Sequence, residues 1–218
     1  MTPYYQDDYV TIYHGDCMEI LPSMPNVGLV LTDPPYGVGV EYESFDDTEA
    51  NAMDLAGKWV RVCIGKSSRV VFTCGVDRQW FYPRPTWVLC WANKAGANMN
   101  SWGFSCWQPI LVYGKDVYLA SGNGARPDLI EHGETSEKNG HPCPKPERFW
   151  KKLLCRCSID DKEMVLDPFM GSGTTLRVAK DLGRKAIGIE IEEKYCEIAA
   201  KRMSQEVLDF ELREEIKK

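Results

Sequence analysis

The sequence predicts an α/β fold with a mostly parallel sheet of seven strands. Short apolar runs alternate along the chain with segments of helical spacing, which is the pattern of strand–helix–strand units. A glycine-rich turn at residues 171–173 joins one apolar run directly to a helical segment. At 218 residues, 44% of them hydrophobic, the chain is long enough for one domain with a sizeable core. The predicted strands are residues 9–14, 27–32, 69–74, 86–92, 109–114, 163–167 and 185–191.

Four segments have the spacing of amphipathic helices. The last of them places apolar or small residues at positions 195, 198, 199 and 203, on one helical face. Residues 115–140 are rich in Gly, Asn, Pro and charge, which predicts an exposed loop. The charged tail after residue 206 predicts a solvated terminal helix. The predicted helices are residues 48–65, 146–157, 173–182 and 192–206.

Composition argues against membrane, secreted and metal-binding classes. No apolar run approaches the roughly 18 residues of a membrane span, and the N-terminus lacks the charged and apolar regions of a signal peptide. The nine cysteines show no C-x-x-C spacing, which predicts reduced thiols and no metal site. We therefore expect a soluble, cytoplasmic protein.

The charge is distributed unevenly, although the net charge is −6. Residues 1–57 hold 11 acidic residues and no Lys or Arg, whereas residues 58–158 hold 15 basic and 7 acidic residues. Nucleic-acid affinity depends on local Lys and Arg side chains that face phosphates. The basic middle third is therefore compatible with a polyanionic partner, and equally with ordinary solvated helix faces.

The glycine turn has the features of a site for a nucleoside-bearing cofactor. In EMVLDPFMGSGTTL, a strand is followed by a tight turn and a helix, so backbone N–H groups and the helix dipole face a ligand. Glu190 follows at the end of the next strand, where a carboxylate can accept hydrogen bonds from ribose hydroxyls. The P-loop pattern and the third glycine of the dinucleotide fingerprint are both absent. The predicted ligand is a nucleoside without a long phosphate chain.

Four short blocks together resemble the β class of DNA amino-methyltransferases, which methylate exocyclic amines of DNA bases with S-adenosylmethionine. The tetrad Asp33, Pro34, Pro35 and Tyr36 matches the catalytic motif [DNS]-P-P-[YFW], and residues 167–175 match the cofactor loop D-P-F-x-G-x-G-T-T. HPCPKP at residues 141–146 resembles H-P-x-x-K-P, with Cys143 in place of the more usual Thr, and Gly15–Cys17 resembles a further cofactor element. The blocks span nearly the whole chain in the order of that class.

The resemblance implies a doubly wound, Rossmann-like methyltransferase fold, permuted so that the catalytic half precedes the cofactor half. Strand 109–114 would be the antiparallel one. We expect a single domain over residues 1–218, and a small member of the family of the phage type. Its parts would be a catalytic half at 1–116, a target-recognition loop at 117–140, a cofactor half at 141–206 and a tail at 207–218.

The chemistry of amine methylation explains the DPPY residues. An adenine N6 or cytosine N4 amine is a poor nucleophile because its lone pair is conjugated with the ring. Two acceptors, the Asp33 carboxylate and the Pro34 carbonyl, would favour a pyramidal nitrogen, and the prolines fix the backbone that presents that carbonyl. Tyr36 would stack on a base flipped out of the duplex. Catalysis would then consist of positioning and electrostatics.

The resemblance also assigns cofactor and DNA residues. Adenine N6 is the expected target because Asp begins the motif; the alternatives are cytosine N4, an RNA base or protein glutamine, and a non-catalytic nucleic-acid-binding module. The expected partner is double-stranded DNA, with a dimer or a short target site because the recognition loop is small. The residues expected to hold S-adenosylmethionine are Asp16, Cys17, His141, Pro142, Lys145, Asp167, Phe169, Gly171, Ser172, Gly173, Thr174 and Glu190, and those expected to contact DNA are Asn123, Arg126 and Lys138.

Overall fold

The computed structural model of the chain describes residues 1–93, 98–100, 102–132 and 145–205. All seven predicted strands and all four predicted helices form within two residues of their expected ends. The strands are β1 Tyr5–Gln6, β2 Val10–His14, β3 Val27–Thr32, β4 Ser67–Thr73, β5 Trp87–Ala92, β6 Asn98–Asn100, β7 Gly103–Ser105, β8 Trp107–Gly114, β9 Leu129–Glu131, β10 Val165–Asp167 and β11 Ala186–Glu190. The helices are α1 Cys17–Ile20, α2 Glu49–Lys66, α3 Val117–Ala120, α4 Glu147–Cys157, α5 Thr174–Asp181 and α6 Glu193–Ser204, with short 3₁₀ turns at Leu21–Ser23 and Arg78–Phe81.

The described strands other than β6 and β7 form one sheet in the order β1-β2-β11-β10-β3-β4-β8-β5-β9. From β2 to β4 all neighbours are parallel, and β8 runs antiparallel to both β4 and β5, as predicted for strand 109–114. The sheet has two more strands than predicted. The extra ones, β1 and β9, are edge strands of two and three residues, too short for a periodic pattern.

Helices cover both faces of the sheet, which makes the fold doubly wound as predicted. Side chains alternate along β3, so Leu29 and Leu31 pack against α4, α5 and α6, while Val30 packs against α2. Trp59 of α2 and Trp150 of α4 are among the largest fully buried side chains, one on each face. The central parallel strands are therefore buried on both faces of the sheet. In open α/β sheets of this kind, ligands bind at the carboxyl ends of the strands.

The predicted exposed loop at 115–140 is confirmed for residues 121–128, which are exposed and outside helices and strands, but two short elements within its described part were not predicted. Asp116 caps a short helix, α3, by accepting hydrogen bonds from two backbone N–H groups at 2.8 and 3.1 Å. Residues 129–131 then pair with β5 as the edge strand β9, and Ile130 is buried against the core. Tertiary pairing thus overrides a composition that is typical of loops. Residues 133–140 lie outside the described residues.

Among the described residues, no helix combines the length and apolarity that crossing a membrane requires. The eight cysteines in the described part of the chain are free thiols.

Candidate active site

Three acidic residues lie side by side at the carboxyl edge of the sheet. Asp33 directly follows β3, Asp167 ends β10 and Glu190 ends β11. Because β3 pairs with β10 and β10 with β11, all in parallel, the carboxyl ends of the three strands meet at one edge. The fold thereby joins the DPPY tetrad to the predicted cofactor loop, although the two are far apart in sequence.

The Asp33 carboxylate is held by three side chains. The Tyr36 hydroxyl donates a hydrogen bond of 2.5 Å to Oδ1, and the hydroxyl of the buried Thr73, at the end of β4, donates to the same oxygen. The Lys145 ammonium contacts the other oxygen, Oδ2. The Asp33 side chain keeps 23% of its exposure, so the carboxylate is fixed in orientation yet open to the cavity.

Lys145 lies with the catalytic motif. We expected it at the carboxylate end of the cofactor, but its ammonium lies on Asp33 and 5.4 Å from the centre of the Tyr36 ring. Only 14% of its side chain is exposed. Lys145 stands immediately before Pro146, the N-cap of α4, so the helix start places the ammonium over the end of β3. It supplies a positive charge and a donor to the predicted catalytic acid.

Tyr36 remains a neutral phenol at physiological pH. Burial, with the Asp33 carboxylate beside it, raises the pKa of Tyr36 well above its ordinary value. The hydroxyl is therefore a donor to Asp33. Of the prolines between them, Pro34 is buried and Pro35 is partly buried, and both line the same cavity as Asp33.

The segment after Tyr36 is tied back by one buried acid. The Asp47 carboxylate accepts hydrogen bonds from the backbone N–H groups of Gly37, Val38 and Val40, at 2.7, 3.1 and 3.0 Å. Gly37 has φ +71°, and a Cβ there would lie 2.7 Å from the Cα of Glu49, so only glycine fits this turn. The segment is thereby folded over the cavity rather than extended into solvent.

The glycine loop between β10 and α5 requires two left-handed residues. Gly171 and Gly173 have φ values of +51° and +81°. Asp167 anchors the loop through Oδ1, which accepts from the Thr32 hydroxyl at 2.5 Å and from the Phe169 N–H at 3.1 Å. Burial raises the pKa of the Asp167 carboxyl to about 6. The loop is rigidly attached to β3 and leads into α5, whose N-terminus faces the cavity.

Glu190 closes the cofactor side of the edge. Its carboxylate accepts the Gly171 N–H at 2.8 Å and the Glu192 N–H at 2.9 Å, one on each oxygen. Burial raises the pKa of Glu190 to about 7, although both hydrogen bonds favour the charged form. Each oxygen keeps a second acceptor position, so the residue can take the ribose-binding role expected of it.

The Gly15–Cys17 block lies next to Glu190. The Gly15 N–H donates to the main-chain carbonyl of Glu190 at 2.8 Å, and Asp16 is the exposed N-cap of α1, accepting from the Met18 N–H at 2.7 Å. Cys17 is buried, and burial raises the pKa of its thiol, so it is neutral there. Both Asp16 and Cys17 border the cavity.

One cavity of about 1070 Å³ is lined by residues of the DPPY tetrad, the glycine loop, Glu190 and the Gly15–Cys17 block. Ligand sites of ~300–1,000 Å³ hold one drug-sized molecule, so this volume suffices for a nucleoside cofactor and part of a second ligand. The lining fits a nucleoside. The Glu190 carboxylate can accept further hydrogen bonds, and the Phe169 ring is partly exposed to the cavity. The predicted site residues that line it are Asp33, Pro34, Pro35, Tyr36, Asp16, Cys17, Lys145, Asp167, Phe169, Gly171, Ser172, Thr174 and Glu190.

Gly173 is not part of the cavity lining. It packs closely against α6, where a Cβ at position 173 would lie 3.0 Å from the Cβ of Ala199. His141 and Pro142, which we expected to hold the cofactor, lie outside the described residues, as does Lys138.

The fold does not bring Asn123 and Arg126 to this cavity. β8 runs antiparallel to β4, and its last residue, Gly114, pairs with Arg69 near the start of β4. The chain therefore leaves β8 at the edge of the sheet opposite Thr73 and enters α3 there. The Arg126 guanidinium lies 4.8 Å from the centre of the Tyr118 ring, and the Tyr118 hydroxyl donates to the Cys155 carbonyl at the end of α4. DNA contact by these two residues stays a prediction, and unchanged DNA affinity and sequence preference in Arg126→Ala would contradict it.

Sequence reasoning missed several residues of the site. Thr73 carried no motif, and only the pairing of β4 with β3 reveals its contact with Asp33. Trp150 donates its indole N–H to the Thr175 hydroxyl at 2.6 Å beneath the glycine loop. The segment after Tyr36 also lines the cavity. The missed cavity residues include Val40, Tyr42, Phe45, Trp80, Ser105, Gln108 and Trp150.

Comparison with known proteins agrees with the motif order and the fold. The N6/N4 DNA methylase family matches residues 91–201, just over half of the chain. A DNA adenine methyltransferase of Escherichia coli, YhdJ, is 27% identical over 88% of this chain and 82% of its own length. The structure titled M1.HpyAVI–SAM complex superposes with a TM-score of 0.67 at 23% identity, covering 90% of this chain and 100% of that one.

A cytosine-N4-specific enzyme, PvuII DNA methyltransferase, superposes with a TM-score of 0.74 at 18% identity, covering 93% of this chain and 89% of that one. The two superpositions confirm the methyltransferase fold. The family match confirms the prediction of a DNA amino-methyltransferase, a family that depends on S-adenosylmethionine. The chain belongs to the family of N6 and N4 DNA methylases.

Proposed function

We propose that the protein transfers a methyl group from S-adenosylmethionine to the N6 amine of adenine in double-stranded DNA. The observation that carries the proposal is the position of Asp33, whose carboxylate opens into the same cavity as the glycine loop and Glu190. A target amine held by Asp33 therefore shares one enclosed space with a cofactor held at the neighbouring strand ends.

The cofactor-binding roles proposed here are those that the family resemblance implies, and the positions of the residues in one cavity support them. Glu190 accepts hydrogen bonds from the ribose hydroxyls, with Asp16 and Cys17 beside the adenine ring and Phe169 beside the methionine moiety. When bound, S-adenosylmethionine supplies an electrophilic methyl group on a sulfonium sulfur. The backbone of the loop from Gly171 to Thr174 and the N-terminus of α5 fix the position of the ligand.

Asp33 and the Pro34 carbonyl activate the amine. Each accepts one N–H of the exocyclic nitrogen, which directs the nitrogen lone pair toward the methyl carbon. The bound cofactor would supply the methyl group to that lone pair and keep the electron pair on its sulfur, after which the nitrogen would release one proton to solvent and become a neutral amine again. Thr73 and Lys145 keep the carboxylate in place throughout, and the Tyr36 ring stacks on the flipped base.

Two features support adenine over cytosine as the target. Asp leads the catalytic tetrad, and a relative at 27% identity is named a DNA adenine methyltransferase. The same DPPY geometry suits either amine, since both are exocyclic NH₂ groups conjugated with an aromatic ring. The test must therefore identify the methylated base.

The decisive experiment uses labelled S-adenosylmethionine and unmethylated genomic DNA, followed by digestion to nucleosides and separation of the labelled product. We expect label in N6-methyl-2′-deoxyadenosine for the wild type and none for Asp33→Ala, whose cofactor affinity should equal that of the wild type. Label in N4-methyl-2′-deoxycytidine would overturn the choice of base. Absence of label despite cofactor binding would remove duplex DNA as the substrate, and the same assay with RNA and protein acceptors would follow.

A further inference from the structure

Two exposed tryptophans lie on the segments around the cavity, Trp80 in its lining and Trp102 next to β7, and we call them the aromatic rim. Trp80, in the 3₁₀ turn after β4, lines the cavity with 80% of its surface exposed. Trp102 lies between β6 and β7, directly before Gly103, and is 98% exposed. Neither residue belongs to the catalytic tetrad or the cofactor loop.

The hairpin projects from the catalytic edge of the sheet. β5 ends at Ala92 and β8 begins at Trp107, and these two residues pair at the carboxyl edge of the parallel strands. Ser105 in β7 lines the same cavity as Asp33. Trp102 lies three residues before Ser105, which is about 10 Å at the usual rise of a strand, and it is not part of the cavity lining itself.

In the described lining of the cavity, both cations are held in ion pairs: Arg78 contacts Glu49 at 2.6 Å, and Lys145 contacts Asp33. The first 57 residues, which supply much of the lining, contain no Lys or Arg. Stacking of bases on exposed aromatic rings adds to phosphate contacts in nucleic-acid binding, and it does not need a cation at the ring itself.

We propose that the aromatic rim contacts the duplex around the flipped nucleotide, with Trp102 stacking on the bases that flipping leaves exposed. The inference rests on the proposed function, because only a base-flipping enzyme creates that gap. A nucleotide that leaves the duplex unstacks its neighbours at a cost of a few kcal/mol. Aromatic side chains inserted between base steps offset such a cost. Trp80, nearer to Asp33, contacts the flipped nucleotide at the cavity entrance.

The test compares Trp102→Ala and Trp80→Ala with a matched control, Trp87→Ala. Trp87 is 61% exposed but begins β5, at the opposite edge of the sheet from the cavity. For each variant we would measure kcat and KM for unmethylated genomic DNA, and cofactor Kd by equilibrium dialysis. The salt dependence of binding to a fluorescein-labelled duplex would be measured by anisotropy.

We expect Trp102→Ala and Trp80→Ala to raise KM for DNA roughly tenfold, the lower part of the range for lost base stacking. Trp102→Phe should recover most of the loss, and Trp87→Ala should resemble the wild type. Cofactor Kd should be unchanged. The slope of log Kd against log salt should also be unchanged, because stacking releases no counterions.

The inference is wrong if Trp102→Ala matches Trp87→Ala, or if the salt slope falls by about one, which indicates a phosphate contact. An equal loss of cofactor binding would likewise refute it, since the tryptophan would then be structural. Failure of the proposed function has a different signature, namely a wild-type protein that binds cofactor and DNA but transfers no methyl group.

Discussion

Thr73 offers a sharp test of how Asp33 is positioned, since its methyl and hydroxyl groups have separate roles. The side chain is fully buried at the end of β4, and its hydroxyl donates to Asp33 Oδ1. Thr73→Val removes the hydrogen bond and keeps the shape, whereas Thr73→Ser keeps the donor and removes a buried methyl. A hydrogen bond to a charged group contributes about 1.5–3 kcal/mol. If Thr73→Val loses this stabilisation in the transition state, kcat/KM should fall roughly 10- to 150-fold, because each factor of ten corresponds to about 1.4 kcal/mol.

The two variants should therefore separate activity from stability. For Thr73→Val we expect a small change in the free energy of unfolding. The variant loses a hydrogen bond, but it no longer has the cost of burying a polar hydroxyl. For Thr73→Ser we expect near-normal kcat/KM and a stability lower by about 1 kcal/mol, the value of one buried methyl group. Methyl transfer to DNA and urea denaturation would be measured on the same preparations. Wild-type kcat/KM in Thr73→Val, or an equal loss in Thr73→Ser, would refute the positioning role.

Three further predictions concern the neighbouring residues. Lys145→Met should lower kcat about tenfold while leaving the Kd for S-adenosylmethionine unchanged, because the ammonium lies on Asp33; a large rise in Kd with normal kcat would instead place Lys145 at the cofactor. Gly173→Ala should lower the free energy of unfolding by roughly 1–2 kcal/mol in urea titrations, since φ is +81° and the new Cβ would meet Ala199; stability equal to the wild type would contradict that strain. Glu190 has a folded-state pKa raised from 4.5 to about 7, so its contribution to stability is full below pH 4.5 and is lost as pH rises through 7. Urea titrations across this window should show a loss that is up to about 3 kcal/mol larger in the wild type than in Glu190→Gln, which keeps the contribution of Asp167, and identical pH profiles for the two proteins would exclude Glu190 as a source of the loss.

Local sequence pattern was sufficient for most of the fold. The seven strands of four or more predicted residues, and all four helices, follow from hydrophobic period and from glycine turns, which depend on near neighbours in the chain. The catalytic tetrad and the cofactor loop were also recognisable, because a backbone that must present a carbonyl, or approach a ligand closely, restricts residue type within a few positions. The very short edge strands β1 and β9 escaped, since two or three residues carry no period.

The sequence by itself thus determined the elements, the chemistry of the tetrad and the likeness to DNA amino-methyltransferases. Only the tertiary structure decided which side chains surround Asp33. Thr73 and Lys145 are 40 and 112 residues away along the chain, and they meet the acid because of strand order and the start of α4. The antiparallel direction of β8 carries Arg126 away from the cavity and brings the β6–β7 hairpin to it. Strand order and direction are set by packing across the whole sheet, and no local pattern encodes them.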